Sequence, residues 1–471
     1  MRSLRPTFQF IICLLFAVGV RAQQSTVDTG QLYSVQELKE DFNYFRKRFE
    51  NADPALYLYT PKPEFDSYSD SLSSTIAQPL GAREFYNLIT LMNTKLMDGH
   101  VHIFPKTEWI NYQNQHGFFL PFHLTFLGQH LYIDMNNSTD RSISEGTELF
   151  SINGEKAADI INFMMSRQIR DGYNQTYPRW ILNTWFKEYY GFHFGYPSSF
   201  QIEYQTGVEV KKQITVRAIR KDSIRFYQKK YYPSRKNPGE GEGLSLQFDP
   251  GTETAILTIK SFDNEMLKET FHQEFRKAIS GFFDQIRDKK SSHLILDLRD
   301  NQGGDVENGS LLISHLMNEP FVLVSAYYKI GNKQSANMEE RIVKTTGPKM
   351  GQQQPNAHPF RGKLLILVNG GSFSNSGIVS STLDHYKRGE FIGEETGGNK
   401  NIICGDADSF TLPHTGISVE VPTLIYEMRD RQNNKGRGTI PQYEISRSID
   451  DIITGKDPVL ERAVALIKEH L

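Results

Sequence analysis

The chain has 471 residues, 38% of them hydrophobic and 23% charged, enough for two or three domains with substantial cores and too apolar for a disordered chain. Its 53 Lys and Arg against 55 Asp and Glu give a net charge of −2 with no long run of either sign, so nothing in the charge favours nucleic acid or an anionic membrane surface. The partner this leaves is a polypeptide or another neutral molecule.

The N-terminus carries Arg2 and Arg5, then an apolar run from Phe8 to Val20, then Val20-Arg21-Ala22. This is the order of a cleaved export signal, and the run is short of the ~20 residues that span a bilayer. Cleavage is expected after Ala22, releasing a periplasmic or secreted protein with no integral membrane span. Cys13 leaves with the signal, so Cys404 stands alone and no internal disulfide is expected. Its apolar neighbours Ile402 and Ile403 favour Cys404 as a small buried filler, with a nucleophile as the alternative.

Ser34-Val35-Gln36-Glu37 has capping-box spacing, and Leu38, Phe42, Phe45 and Phe49 recur at helical intervals, predicting an amphipathic helix. Ala82 to Met97 reads as a further helix that ends in Asp98-Gly99-His100, ahead of a strand Val101 to Phe104. From Gly117 to Arg217 short β-like runs follow, Phe118 to Phe126 and His130 to Met135, with an Asn153-Gly154 hairpin turn and a helix Ala157 to Met165. Residues 168–194 are rich in Tyr and Trp and read as a helical hairpin packed on the core, with a ligand-binding aromatic surface as the alternative. Lys221 to Glu242 reads as an exposed connection.

Beyond it, a strand Thr254 to Ile259, a helix Glu269 to Arg287 and a strand His293 to Leu298 alternate as in an α/β sheet. The second strand runs into Arg299-Asp300-Asn301-Gln302-Gly303-Gly304-Asp305 and a helix containing Leu311, Leu312 and Leu316. Two adjacent glycines at such a turn can present backbone N–H groups to an anion. A third strand, Lys363 to Val368, leads through Asn369-Gly370-Gly371-Ser372-Phe373-Ser374-Asn375-Ser376-Gly377 to a helix from Ile378 to Tyr386. Ser374 therefore falls at a helix N-terminus, where the dipole and free N–H groups favour developing negative charge. Helix capping by the three serines is the competing use.

Three separated phrases stand out together: Asp98-Gly99-His100, Leu296-Asp297-Leu298-Arg299 with Asn301 and Gly303-Gly304, and Val368 to Ser376 with Gly393-Glu394 and Thr396-Gly397-Gly398 downstream. With Gly436-Arg437-Gly438, Ile440-Pro441 and Asp457 to Ala463, they resemble the C-terminal-processing, or tail-specific, serine peptidase family. The resemblance implies an α/β (α+β overall) chain with a crotonase-like ββα spiral core, a helical N-terminal region and a PDZ-like β-rich module. The corresponding segments are a signal over 1–22, a helical region over 23–108, a degenerate PDZ-like module over 109–220, a connection over 221–242 and the peptidase core over 243–471. Ser374 becomes the nucleophile, with Asn375 and Gly303 or Gly304 supplying the oxyanion hole.

Two branches of the family supply different bases. The lysine branch matches Asn399 here, with Lys400 one place late; the branch similar to the tricorn core points to His100, and His102 is a second candidate. His100 is the expected base and Lys400 the alternative. A histidine base needs a carboxylate partner. Where that branch has a glutamate this chain has Lys435, with Gln442 after the proline, leaving Glu394, Glu395, Glu420 and Glu427 open. No histidine pair has metal-binding spacing and no nucleotide fingerprint occurs, so neither metal nor cofactor is expected. The implied function is hydrolysis of exposed or C-terminal segments of envelope or extracellular polypeptides. A binding protein for peptides or apolar ligands on the same fold is the alternative.

Overall fold

A computed structural model describes residues 30–207, 210–235, 240–252, 254–331, 335, 337–429 and 431–469. The expected signal over 1–22, Cys13 included, lies outside the described residues. No helix among the described residues is long and apolar enough to cross a membrane.

The N-terminal region is helical. Glu37 N–H donates to Ser34 Oγ at 3.3 Å and Ser34 N–H donates to Glu37 Oε2 at 2.7 Å, a reciprocal cap that starts the helix Val35–Ala52. Its buried stripe is Leu38, Phe42, Phe45 and Phe49. The helix expected over 82–97 is broken into Ala82–Ile89, a 3-10 turn Thr90–Met92 and Asn93–Leu96. Thr90 Oγ1 donates back to Tyr86 O at 2.8 Å, a side-chain bond that bends helices. The last piece stops at Met97, whose φ of +50° cannot continue a right-handed helix.

The β-rich module is one antiparallel sheet, in spatial order Lys212–Arg217, Ser199–Gln205, Glu148–Ile152, His130–Asn136 and Phe122–Leu127, with Glu155–Lys156 paired to Glu148–Ile152. Asn153 and Gly154 both have positive φ, +52° and +87°, as a two-residue hairpin turn of the primed type requires. The aromatic-rich segment is one helix, Thr176–Phe194, kinked at Trp185, and not a hairpin within that segment. It does pack on the core, burying Tyr177, Phe186, Tyr189, Tyr190 and Phe192. The stretch expected as a connection begins with a helix, Lys221–Tyr231, anchored by Ile224.

The core sheet places Ala255–Ile259, His293–Asp297, Lys363–Val368, Glu390–Gly393 and Tyr443–Glu444 in parallel, with Leu244–Phe248 antiparallel at one edge. Both faces are covered, which is why its central strands read as continuous apolar runs. Leu294, Leu296, Leu364, Ile366 and Val368 pack with the helices Phe275–Asp288, Val306–Leu316 and Asn375–His385. The alternate residues Ile295, Leu365 and Leu367 face Val459, Ala463 and Leu466 of the C-terminal helix Pro458–Lys468. The single helix expected over 269–287 is two, Asn264–Phe271 and Phe275–Asp288, separated where His272 takes a φ of +55°.

A long hairpin, Ile402–Thr411 with Ser418–Glu427, projects from this core. Its second strand pairs with His102–Phe104 of the N-terminal region, Val419 opposite Ile103 and Glu420 opposite His102. That pairing carries the Asp98-Gly99-His100 junction onto the peptide that bears Ser374.

Candidate active site

Ser374 lies immediately before the helix Asn375–His385, with φ +52° and ψ −124°. A non-glycine residue held at positive φ costs energy, and such strain persists where the surroundings over-determine the backbone. None of the three serines caps this helix. Ser372 Oγ donates to Leu298 O at 2.8 Å, Ser376 Oγ is buried with no hydrogen-bond partner among the described residues, and Ser374 Oγ lies 3.0 Å from His100 Nε2. Two segments 274 residues apart thus meet at hydrogen-bonding distance.

His100 is backed by an aromatic stack. Its ring lies 4.5 Å from the Phe373 ring at an interplanar angle of 30°, and Phe373 stacks on Tyr177 at 3.9 Å and 9°. Tyr177 belongs to the kinked aromatic helix, so that helix supplies the plate behind His100, while Trp180 Nε1 donates to Asp300 Oδ1 at 2.7 Å across the glycine turn. Gly99 leaves the room this requires: a Cβ there would sit 2.7 Å from the Phe373 ring and 2.8 Å from Asp171 Oδ1. Burial pushes His100 down to about 3, with His102 contributing, and pushes His102 down to about 4. The ring is therefore neutral at physiological pH, the form that accepts a proton.

The turn after the second core strand packs against Ser374. A Cβ on Gly303 would lie 2.7 Å from both Ser374 Cβ and Asn375 N, and Gly303 and Gly304 have φ of +96° and +127°. The Gly303 N–H is already donated to Asn301 Oδ1 at 2.8 Å. Asn375, first in its helix, has an N–H with no intrahelical acceptor. Arg299 of the same phrase forks between Asp297 and Asp457, donating to Asp457 through two bonds of 2.8 and 2.9 Å.

Lys400 is not brought to this site. Its Nζ bonds Asp384 Oδ2 in the last turn of the serine's own helix, roughly 15 Å along the axis from Ser374 at 1.5 Å per residue. Of the open carboxylates, Glu395 is held by Arg437 and the Gly438 N–H, Glu394 by Arg179 and Ser446, and Glu427 by Arg431. Glu420 lies opposite His102, pushed up to about 7 by burial. Lys435 is exposed, and Gln442 accepts the Phe391 N–H at 2.6 Å.

Around Asp98 lies a feature the sequence alone did not show, a buried group in which Asp53, Asp171 and Cys404 interact with it. Asp171 accepts the N–H groups of Gly99 at 2.8 Å and Asn399 at 2.9 Å; Asp98 accepts that of His100 at 2.7 Å and Asp53 that of Ala55 at 2.7 Å. The Asp98-Gly99-His100 phrase pointed to one of them; the rest come from distant segments. Asp98, His100 and Asp171 hold potential ligand atoms within 4.8 Å of one another, but both Asp171 oxygens and one of Asp98 already accept backbone N–H groups, so they are engaged as hydrogen-bonded carboxyls.

Residues 253–445 match the model of peptidase family S41. Over that segment the chain is similar to peptidase family S41. Its class is that of a serine-type peptidase. No curated protein matches the sequence. Among solved structures it is similar to mature CPAF at 13% identity, over 92% of this chain and 97% of that one, with a TM-score of 0.64. CPAF complexed with lactacystin matches at 12% identity over 92% and 98%, also at 0.64. At such identities the likeness is one of fold, and it extends over the N-terminal region and β-rich module as well as the core. The photosystem II D1 C-terminal processing protease matches at 13% identity over 90% and 98%, with a TM-score of 0.43.

Proposed function

We propose that this serine-type peptidase cleaves peptide bonds through an acyl-enzyme on Ser374, with His100 as its general base. Ser374 Oγ attacks the carbonyl carbon while His100 Nε2 takes its proton; the same nitrogen returns the proton to the leaving amine, and water then releases the acyl group by the reverse sequence. The tetrahedral oxyanion is held by the N–H of Asn375 at the helix start and by that of Gly304, because the Gly303 N–H is committed to Asn301. The observation that carries this reading is the 3.0 Å approach of His100 Nε2 to a Ser374 held in a strained backbone conformation. Lys400, paired with Asp384, has no part in it.

The finer reading rests on the sequence. Export through the N-terminal signal places the enzyme in the periplasm or outside the cell, and its substrates are exposed or C-terminal segments of envelope or extracellular polypeptides, presented as an added β-strand. The test is fluorophosphonate labelling of the mature protein with peptide mapping of the adduct. Labelling of Ser374 that survives Lys400→Ala and disappears in Ser374→Ala and His100→Ala is the expected result. A folded protein that never labels would return the chain to the binding-protein reading.

A further inference from the structure

We propose that Asp98 is the carboxylate that positions His100 and receives its Nδ1–H when the ring becomes protonated. The proposal rests on the reading of His100 as base. His100 Nδ1 is buried and has no hydrogen-bond partner among the described residues. In an imidazolium both ring nitrogens carry hydrogen, and a buried N–H without an acceptor is costly. Asp98 Oδ1 stands 3.9 Å from that nitrogen and already accepts the His100 backbone N–H at 2.7 Å, so carboxylate and ring are tied to one short junction. Closing the gap to hydrogen-bond length takes a shift of about 1 Å, and catalytic hydrogen bonds are commonly long before substrate binds.

The other acids are engaged elsewhere. Glu394, Glu395 and Glu427 pair with arginines, Glu420 sits on the strand opposite His102, and both oxygens of Asp171 accept backbone N–H groups. The surrounding charges single out the same residue. Burial raises Asp98, while the Cys404 thiol and the His100 N–H act against that rise. Burial and the Asp98 charge both push up Asp53, Asp171 and the Cys404 thiol. Asp98 is thus the group whose charge its neighbours respond to, and its own donors, the Cys404 thiol and the His100 N–H, favour its carboxylate form. This gives Cys404 a task beyond filling space, as a donor to that carboxylate.

The experiment measures the second-order rate of fluorophosphonate labelling against pH for wild type, Asp98→Asn, Asp53→Asn, Ser374→Ala and His100→Ala. Asn keeps the backbone acceptor and the volume but not the charge. Asp98→Asn is expected to slow labelling about 10²-fold or more and to move the acid limb of the profile to lower pH, since the imidazolium has lost its counter-charge; Asp53→Asn should stay within about threefold of wild type with the limb unmoved. An Asp98→Asn protein that labels at the wild-type rate with an unmoved limb makes Asp98 a backbone cap only and overturns the proposal. Should that variant not fold, ¹⁵N-histidine NMR of the wild-type adduct decides, a far-downfield Nδ1–H resonance supporting the proposal and its absence overturning it. Unchanged labelling in His100→Ala would defeat the parent reading instead, so the two failures are distinct.

Discussion

At the residue scale the site depends on a few positions with no spare room. Gly99 separates Asp98 from His100 and lies against Phe373 and Asp171, so Gly99→Ala forces a Cβ into contacts of 2.7 and 2.8 Å. Overpacking of this kind costs about 1–3 kcal/mol, and here the cheapest relief is displacement of the ring stack that holds His100. The expected outcome is a folded protein with a lower melting temperature and labelling of Ser374 slowed at least about tenfold, read by differential scanning fluorimetry beside the labelling assay. Ser374 and His100 were legible in the sequence because each sits in a phrase whose glycines make a turn that few other sequences can. Asp53 and Asp171 were not, because an aspartate in a distant segment carries no sign that folding will bury it near Asp98. The departures at Lys435 and Gln442 directed attention to Glu394, Glu395 and Glu427, which the fold pairs with arginines.

At the element scale, the start of one helix serves two roles. The C-terminal helix Pro458–Lys468 is capped by Asp457, whose Oδ1 accepts the Leu460 N–H at 3.1 Å while both its oxygens take the Arg299 guanidinium. Asp297, Arg299 and Asp457 thereby join the glycine-turn phrase to the helix that covers the far face of the core sheet. Asp457→Ala removes the cap and one of the two carboxylates that hold Arg299, and should cost about 2 kcal/mol, the sum of a lost cap and a lost ion-pair partner. Asp457→Asn, which keeps the cap, should cost less, and urea unfolding of the two separates the contributions. The aromatic segment teaches a different lesson. Its composition foretold packing, but the helix Thr176–Phe194 also supplies Tyr177, and through Phe373 that ring backs His100. Helical periodicity shows that a face is buried and not what it is buried against.

For the whole molecule, the buried ionisable groups set opposing dependences on pH. His100, His102 and His193 are pushed down to about 3, 4 and 3 by burial. The unfolded chain binds protons at these histidines near pH 6.5 and the folded one does not, so their contribution is present above 6.5 and lost as the pH falls toward 3. Asp171 and Glu420 are pushed up to about 7 by burial, Asp171 also by the Asp98 charge. These acids stay protonated in the fold, and their contribution is present below about pH 4 and lost as the pH rises through 7. The slopes oppose each other between pH 4 and 6.5. Asp171→Asn deletes one falling slope, so its stability relative to wild type should climb across pH 4 to 7 by on the order of 1 kcal/mol per pH unit. Chemical denaturation at several pH values reads that difference whatever constant cost the substitution adds, and a flat difference would show that Asp171 is ionised in the fold.

Read along the chain alone, the α/β core, the helical start, the β-rich middle, the Ser374 turn and the His100 junction were accessible, because each rests on local rules of capping, periodicity and glycine-dependent turns. Three findings depended on the folded chain. The strand His102–Phe104 joins the hairpin of the core and so brings His100 to Ser374; Lys400 turns away to Asp384; and Asp53, Asp171 and Cys404 gather about Asp98. Each is a contact between segments far apart in sequence, decided by which apolar faces the chain can bury together and by which buried polar groups must then find partners, and no local pattern carries that information.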